Sequence, residues 1–291
     1  MSTVAAGEKA IGAPDEDDDV SATCPSYASG VSSGSVASDK PQEVSGIAAS
    51  RRNKGVYWIH NDAGNAAEVY AITVAGADRG TVKLSGVSMN DWEDIAAGAG
   101  PDPALSYVYV GDIGDNDENR SKVAIYRFPE PEISLTGGAV KKSVTPERLD
   151  IVYPDGPHNA EALLLDPVSK DLFIVTKNSG PTDVFRVPSL FTNGSKVTAQ
   201  KVATFTPIGG AVSGGDISPD GKAILIRTDD SAMFWRRDDG VSVAQAMLQP
   251  HCVVPTKKEG NGEAIAFRVD KSGYVTVSEG EHQPVYFFAP K

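Results

Sequence analysis

The stretch DWEDIAAG, residues 91–98, is one of five copies of a short pattern in which small or acidic residues precede an apolar pair. The other copies are VSGIAAS at 44–50, NAEALLLD at 159–166, SGGDISPDG at 213–221 and GNGEAIAF at 260–267. Aligned on Ile47, Ile95, Leu163, Ile217 and Ile265, the copies recur roughly every 50 residues, close to the length of one four-stranded propeller blade. The repeat therefore predicts one inner strand per blade.

Further strand-like segments follow each copy, such as GVYWIHND, EVYAITV and GTVKLSG after the first. After the fourth copy, a segment around AQAMLQP takes the place of the last strand, and the fifth blade ends one strand short. The N-terminal stretch at 30–37 can supply that strand, which would remove an exposed edge. We predict an all-β, five-bladed β-propeller closed by an N-terminal strand. The alternative is a sixth blade within the long second interval, whose EPEISLTGGAVKKSVTPE otherwise resembles a surface loop.

Composition fits one propeller domain at 26–291 after a disordered acidic leader at 1–25, which contains DEDDD. The 29 Gly and 19 Pro of the 291 residues indicate many turns. The net charge of −12 argues against nucleic acid as a partner, and no apolar run is long enough for a membrane span. The first residues lack a cationic n-region and an apolar h-region, so no intact secretory signal is predicted in this chain.

Cys24 and Cys252 are the only two cysteines, which is too few for a zinc knuckle. Closure by the N-terminal strand would bring Cys24 towards the last strand of blade four, near Cys252. A disulfide would require an oxidising compartment, and two separate buried thiols are the alternative. We expect the disulfide, and with it an extracellular or periplasmic location.

Acidic and amide residues stand at the starts of the inner strands, and a propeller brings these starts to one mouth of its channel. Glu93, Glu161, Asp216 and Glu263 share one repeat position to within one residue, and Asn159 precedes the third inner strand. Carboxylates pointing at a common axis repel one another unless a cation neutralises them or some take up protons. The all-oxygen set favours calcium over zinc, so we predict a calcium site formed by these five residues. Solvated turn residues at strand ends are the alternative.

The turns between second and third strands reach the same mouth and offer substrate-binding candidates. These candidates are Asn61, Asp62, Asp112, Asp115, Lys177, Asn178, Arg227 and Glu279. Lys177 and Arg227 could bind an anionic group, or could form ion pairs with the surrounding carboxylates. The acidic segment GDIGDNDENR at 111–120 lacks the spacing and terminal Glu of an EF-hand, and a plain surface turn is its alternative.

His60 in WIHNDAG and His158 in GPHNAEA are the catalytic candidates, because imidazole titrates near neutral pH and both fall beside the expected mouth. A structural role for each is the alternative. No GxSxG elbow, Walker loop or strand-linked GxGxxG is present, which argues against serine-hydrolase, P-loop and dinucleotide chemistry.

The stretch VSGIAASRRNKGVYWIHNDAGNAAEVYAITVAG at 44–76, followed by DWEDIAAG, resembles the opening blades of the SdiA-regulated and phytase-like or esterase-like propellers. The resemblance covers about residues 43–290 and rests on short motifs. Related calcium propellers hydrolyse phosphoesters, nucleotides or lactones at a channel metal. Carried over by motif position, Glu93, Glu161 and Glu263 would be metal ligands and Asp216 a weaker one. Ser45 replaces the acid in the first blade.

Together these features predict a calcium-dependent hydrolase of a small anionic ester, either a phosphoester or a lactone. The alternative is a non-catalytic propeller that binds a glycan, peptide or protein partner and uses calcium as a structural ion. Fold alone does not choose between them. We expect a monomer.

Overall fold

The protein is a five-bladed β-propeller, seen in a computed structural model that describes residues 24–291. Blade one contains β2 (Val44–Ala49), β3 (Val56–Asn61), β4 (Glu68–Thr73) and β5 (Asp78–Leu84). Blade two contains β6 (Trp92–Ala99), β7 (Ser106–Asp112), β8 (Val123–Pro129) and β10 (Glu147–Val152). Blade three contains β11 (Ala160–Leu165), β12 (Asp171–Thr176), β13 (Thr182–Pro188) and β15 (Gln200–Phe205). Blade four contains β16 (Val212–Ile217), β17 (Ala223–Thr228), β18 (Ala232–Arg236) and β19 (Cys252–Val254). Blade five contains β20 (Gly262–Phe267), β21 (Tyr274–Ser278), β22 (Pro284–Phe288) and β1 (Val31–Ser35).

Two further strands extend a blade that precedes them in the chain. β9 (Val140–Val144) pairs in parallel with β5 of blade one, and β14 (Ser195–Thr198) pairs in parallel with β10 of blade two. The stretch that resembles a surface loop therefore contributes an outer strand to blade one, and the sixth blade is excluded. Each added strand covers an edge that would otherwise be open.

The N-terminal strand closes the propeller as the sequence predicts. β1 pairs antiparallel with β22, and an isolated bridge between Tyr27 and Pro290 continues the pairing. Cys24 and Cys252 form a disulfide with a Cα–Cα distance of 5.6 Å. Cys252 is the first residue of β19, so the disulfide ties the approach to β1 to the outer edge of blade four. Residues 1–23 of the expected acidic leader lie outside the described residues.

The segment around AQAMLQP is not a strand. It forms the short helix α1 (Val243–Met247), and the outer strand of blade four comes later, at β19. Ser242 and Gln245 form a capping box, in which each side chain bonds the backbone N–H of the other. Val243, Ala246 and Met247 are buried in the core of blades three and four. Among residues 24–291, no helix has the length and hydropathy needed to cross a bilayer.

The inner strands β2, β6, β11, β16 and β20 surround the channel, each contacting the next and β20 returning to β2. The spaces between blades hold the core, in which Trp58, Trp92 and Trp235 are at most 1% exposed. Because this packing is continuous around the ring, the residues at the strand starts have fixed positions at one mouth.

Candidate functional site

Every inner strand begins with a β-bulge at the same register, where one residue is skipped in the pairing with the next strand. The skipped residues are Ser45, Glu93, Glu161, Ser213 and Glu263. A bulge re-aims the side chain of its unpaired residue. The mouth therefore carries three glutamates and two serines at equivalent positions.

The bulge corrects the sequence alignment of blade four. Ser213, and not Asp216, is equivalent to Glu93, because Val212 and Gly214 flank the shift in the pairing of β16. Asp216 lies three residues further along β16. Its carboxylate accepts the backbone N–H groups of Ile217 and Phe267, at 2.8 and 2.9 Å, and so links blade four to blade five.

The three bulge glutamates lie close enough to affect one another's ionisation. The Glu161 carboxylate raises the pKa of both Glu93 and Glu263, in each case after the larger effect of burial. The pKa of Glu263 rises to about 7. Its Oε2 is buried and has no hydrogen-bond partner within the described part of the chain. The structure thus brings together Glu93, Glu161 and Glu263, three of the five predicted metal ligands.

A second set of carboxylates adjoins Glu93. Oxygens of Asp62, which follows β3, and Asp91, which precedes β6, lie with a Glu93 oxygen within 4.8 Å of one another. Burial raises the pKa of all three groups, and that of Asp91 reaches about 6. No lysine or arginine among residues 24–291 forms an ion pair with any of them. Within the described residues, these three crowded carboxylates therefore have no ion-pair partner, and the charges of Lys177 and Arg120 only partly offset the rise in the pKa of Asp62 and of Asp91.

Gly114 makes this crowding possible. A Cβ built at this residue would overlap both Glu93 Oε1 and Asp91 Oδ2, so the backbone of the 111–120 segment passes directly against the two carboxylates. A side chain at position 114 would therefore force both carboxylates to move. The sequence contains this signal, a glycine inside the acidic segment, but only the structure shows which atoms it makes room for.

Asp112 and Asp115 hold the shape of the same segment. Asp112 Oδ1 accepts from Arg120 Nη2 at 2.7 Å, and the Asp115 carboxylate accepts the N–H groups of Asn119 and Arg120. Burial raises the pKa of Asp112, with Arg120 opposing the effect. A cavity of about 330 Å³ opens beside Asp91, against Asp115 and Arg120. The carboxylates of Asp112 and Asp115 thus order the wall of the site.

Lys177 places a positive charge at the mouth. Its Nζ lies 2.9 Å from Glu161 Oε1, and the lysine side chain is 34% exposed while the glutamate is 3% exposed. Burial acts to lower the pKa of Lys177, but Glu161, Glu263 and Glu93 together raise it. Lys177 is therefore charged and neutralises the Glu161 side of the glutamate ring. Asn178, the next residue, donates to Thr176 Oγ1 at 3.3 Å.

The two histidines have different surroundings. His60 is fully buried, donates from Nδ1 to the Asn61 carbonyl at 2.9 Å, and packs edge-on against Trp92. Desolvation lowers the pKa of His60 to about 4, so this imidazole is neutral near pH 7. His158 Nε2 lies 2.8 Å from Asp155 Oδ1, beside the ring of Phe185.

Two other predicted site residues, Asn61 and Asn159, accept hydrogen bonds from the protein backbone. Asn61 accepts the N–H of Glu43 on its Oδ1, at 3.2 Å. Asn159 accepts the N–H of Asp115 at 2.8 Å, which connects blade three to the wall of the site.

Arg227 and Glu279 also have protein partners. Arg227 forms an ion pair with Glu259, both side chains being at most 3% exposed, and the N–O distance is 2.5 Å. Glu279 accepts from Asn261 Nδ2 at 2.7 Å. Of the two predicted anion-binding side chains, Lys177 is the one that forms an ion pair with a glutamate of the ring.

Asp94 has a structural role that the sequence does not reveal. Its carboxylate accepts the N–H groups of Ile95, Leu163 and Gly215, at 2.8, 2.8 and 3.3 Å, and so joins blades two, three and four below the mouth.

Comparison with known proteins gives structural likeness without sequence matches. No family model matches the chain, and no curated protein matches it. The PQQ-bound aldose sugar dehydrogenase of Streptomyces coelicolor has a TM-score of 0.49 and 12% identity, and the match covers 92% of this chain and all of that one, 100%. The gluconolactonase XC5397 of Xanthomonas campestris has a TM-score of 0.48 and 10% identity, with 85% and 72% covered. At these values the likeness assigns neither activity to this chain.

Proposed function

We propose that the protein is a calcium-dependent hydrolase of a small anionic ester, with a phosphoester or a lactone as the substrate class. The observation that carries the proposal is the group of carboxylates formed by Asp62, Asp91 and Glu93, whose oxygens lie within 4.8 Å of one another and form no ion pair with a lysine or arginine among the described residues. Such a group is stabilised by a divalent ion, which supplies the missing positive charge.

The donor set fits calcium. All three side chains offer oxygen, and no cysteine or histidine belongs to the group, which disfavours zinc. Gly114 leaves room for the carboxylates of Glu93 and Asp91 to face the same point. Calcium accepts carboxylate ligands in loose geometry together with water, so two blades can hold it without a dedicated loop.

Lys177 is the reason for proposing an anionic substrate. Its ammonium group is partly exposed and lies on the Glu161 side of the ring, next to the proposed ion site. An ester that carries a phosphate or carboxylate would place its negative charge on Lys177. When bound, the calcium ion would polarise the ester oxygen and make the attacking water more acidic.

Glu263 is the best-placed group to carry a proton. Its pKa of about 7, raised by burial and by Glu161, suits a general acid or base near neutral pH, and its Oε2 has no partner within residues 24–291. His60 has no exposed atom surface to offer a substrate, and His158 is held by Asp155. We therefore assign the proton step to Glu263 before either histidine.

The experiment is a calcium-dependent assay on chromogenic phosphate monoesters and diesters, a carboxylic ester and a sugar lactone. We expect turnover of one class with calcium and none with a chelator. Glu93→Gln and Lys177→Met should each lower kcat/KM at least about a hundredfold, with folding checked by circular dichroism. His158→Ala should retain most activity, since Glu263 moves the proton. If the calcium-bound protein turns over none of these substrate classes, the proposed enzymatic activity is refuted.

The second candidate function is a non-catalytic propeller in which calcium is structural and the mouth binds a glycan, peptide or protein. The observation in its favour is that both histidines have structural contacts, His60 with Trp92 and His158 with Asp155. Calcium binding without turnover of any ester would select this function.

The disulfide between Cys24 and Cys252 is typical of a protein from an oxidising compartment, so we place its function outside the cytoplasm, in the extracellular space or a periplasm. The substrate would be a small molecule that meets the protein there. We propose that the monomer is the active form, since one chain supplies every residue of the proposed site.

A further inference from the structure

A cavity of about 460 Å³ lies at the end of the propeller opposite the acidic mouth, between the turn after β2 and the turn after β20. Its lining includes Ala49, Val56 and Tyr57 from blade one, with Val269 from blade five. Tyr57 is 5% exposed, so its ring forms part of the floor. A cavity of this volume is in the range of small-molecule sites, which span about 300–1,000 Å³.

The rim of this cavity is cationic, although the protein carries a net charge of −12. Arg51, Arg52, Lys54 and Arg268 line it, together with the carboxylate of Asp270. Arg268 binds Asp270 through its Nε and Nη2, at 3.1 and 2.9 Å, and stacks on the ring of Phe287. Arg52 pairs with Glu132 at 3.6 Å. Within residues 24–291, Arg51 and Lys54 have no ion-pair partner, so the unpaired positive charge of the rim favours anions.

Arg51 supplies the feature that points to a ligand. It is partly exposed and lines the cavity, and no carboxylate among residues 24–291 forms an ion pair with it. Its backbone N–H donates to Glu130 Oε1 at 3.0 Å, which holds the residue in place. A ligand carboxylate or phosphate in the cavity would give this guanidinium both an acceptor and a counter-charge.

We propose that this cavity binds a small organic anion with a flat apolar body, whose carboxylate or phosphate accepts from Arg51 and whose body packs on Tyr57. The apolar floor distinguishes such a ligand from a bare inorganic anion, which would gain only the charge contacts. Lys54 and Arg52 at the rim add attraction for the anionic group. The site is separate from the acidic mouth, so it stands whether or not the mouth is catalytic.

Isothermal titration calorimetry at low ionic strength tests the proposal with benzoate and phenyl phosphate as probes. We expect one site per chain for at least one probe, with affinity that falls as salt is added. Arg51→Gln should weaken binding about tenfold or more, since a charge-assisted hydrogen bond is lost. Lys54→Gln, which changes an exposed side chain and leaves the fold intact, should weaken binding about threefold.

Two matched variants and two matched probes complete the test. Lys222→Gln alters an exposed lysine on the turn after β16, and Lys142→Gln alters a second basic surface on blade one, so neither should change the affinity. Benzamide, the neutral analogue, and inorganic phosphate, which has no apolar body, should bind more weakly than benzoate and phenyl phosphate. The proposal is overturned by absence of binding for both aromatic anions, by unchanged affinity in Arg51→Gln, or by equal affinity for benzamide.

Discussion

Replacing Glu263 with Gln should stabilise the calcium-free protein at pH 8 and leave it unchanged at pH 4. Burial, followed by the charge of Glu161, raises the pKa of Glu263 from 4.5 to about 7 in the folded state. The folded protein therefore binds a proton more tightly than the unfolded chain, and the stability linked to this group falls as pH rises from about 4.5 to about 7. A shift of this size corresponds to about 3 kcal/mol. Gln carries no charge to bury, so the variant should avoid this loss.

The assay is thermal unfolding followed by circular dichroism, in chelator, from pH 4 to pH 8. At pH 8 we expect Glu263→Gln to melt roughly 5 °C above the wild type, and at pH 4 the two should coincide. Glu132→Gln, an exposed glutamate away from the mouth, should show no pH-dependent gain. A Glu263→Gln variant that is less stable than the wild type at pH 8 would show that the buried charge of Glu263 does not destabilise the folded protein, and would contradict the raised pKa of this group.

Three other outcomes follow from single contacts. Gly114→Ala should lower calcium affinity at least about tenfold in a calorimetric titration, because the new Cβ would displace the carboxylates of Glu93 and Asp91. Unchanged affinity would show that the close approach of Gly114 to these carboxylates does not matter for calcium binding. Asp94→Ala should lower the free energy of unfolding in urea by about 3 kcal/mol or more, since the N–H groups of Leu163 and Gly215 lose their acceptor; a loss below about 1 kcal/mol would count against the inter-blade role. Cys252→Ser should lower the free energy of unfolding by about 2–5 kcal/mol in the same measurement. A reductant should destabilise the wild type and leave this variant unchanged, so equal sensitivity of the two proteins would argue against the disulfide.

The fold could be predicted because each blade is a local repeat. The spacing of the five inner strands and the missing last strand of blade five gave the blade number and the closure by β1. The parallel strands β9 and β14 could not be predicted, because their partners lie in a preceding blade and their segments look like loops. The short helix α1 depends on a capping box at Ser242 and Gln245 that overrides a strand-like context.

From the sequence, one could predict which side chains lie at the same mouth of the channel, but not how they are grouped there. Glu93, Glu161 and Glu263 recur at one repeat position, and the bulge places all three at the channel. In four blades an isoleucine or leucine stands two residues after the bulge, but in blade four this position is Gly215. The sequence alignment therefore used Ile217 instead, which placed Asp216 at the wrong repeat position.

The role of Asp91 required three-dimensional structure. It stands just before an inner strand, so the sequence can place it at the mouth, but only the structure shows that its carboxylate lies within 4.8 Å of those of Asp62 and Glu93, with Gly114 against it. Sequence likewise could not show that Arg227 is buried against Glu259, because that pairing joins blades four and five.

If Asp62, Asp91 and Glu93 hold a divalent ion, the chelator-treated protein should bind calcium in a calorimetric titration at pH 7.5. We expect one calcium ion per chain in the wild type and at least about tenfold weaker binding in Asp91→Asn. The variant Asp238→Asn, which changes an exposed aspartate, should match the wild type. A wild type that binds no calcium, or an Asp91→Asn variant with unchanged affinity, would show that these three carboxylates are not a calcium site.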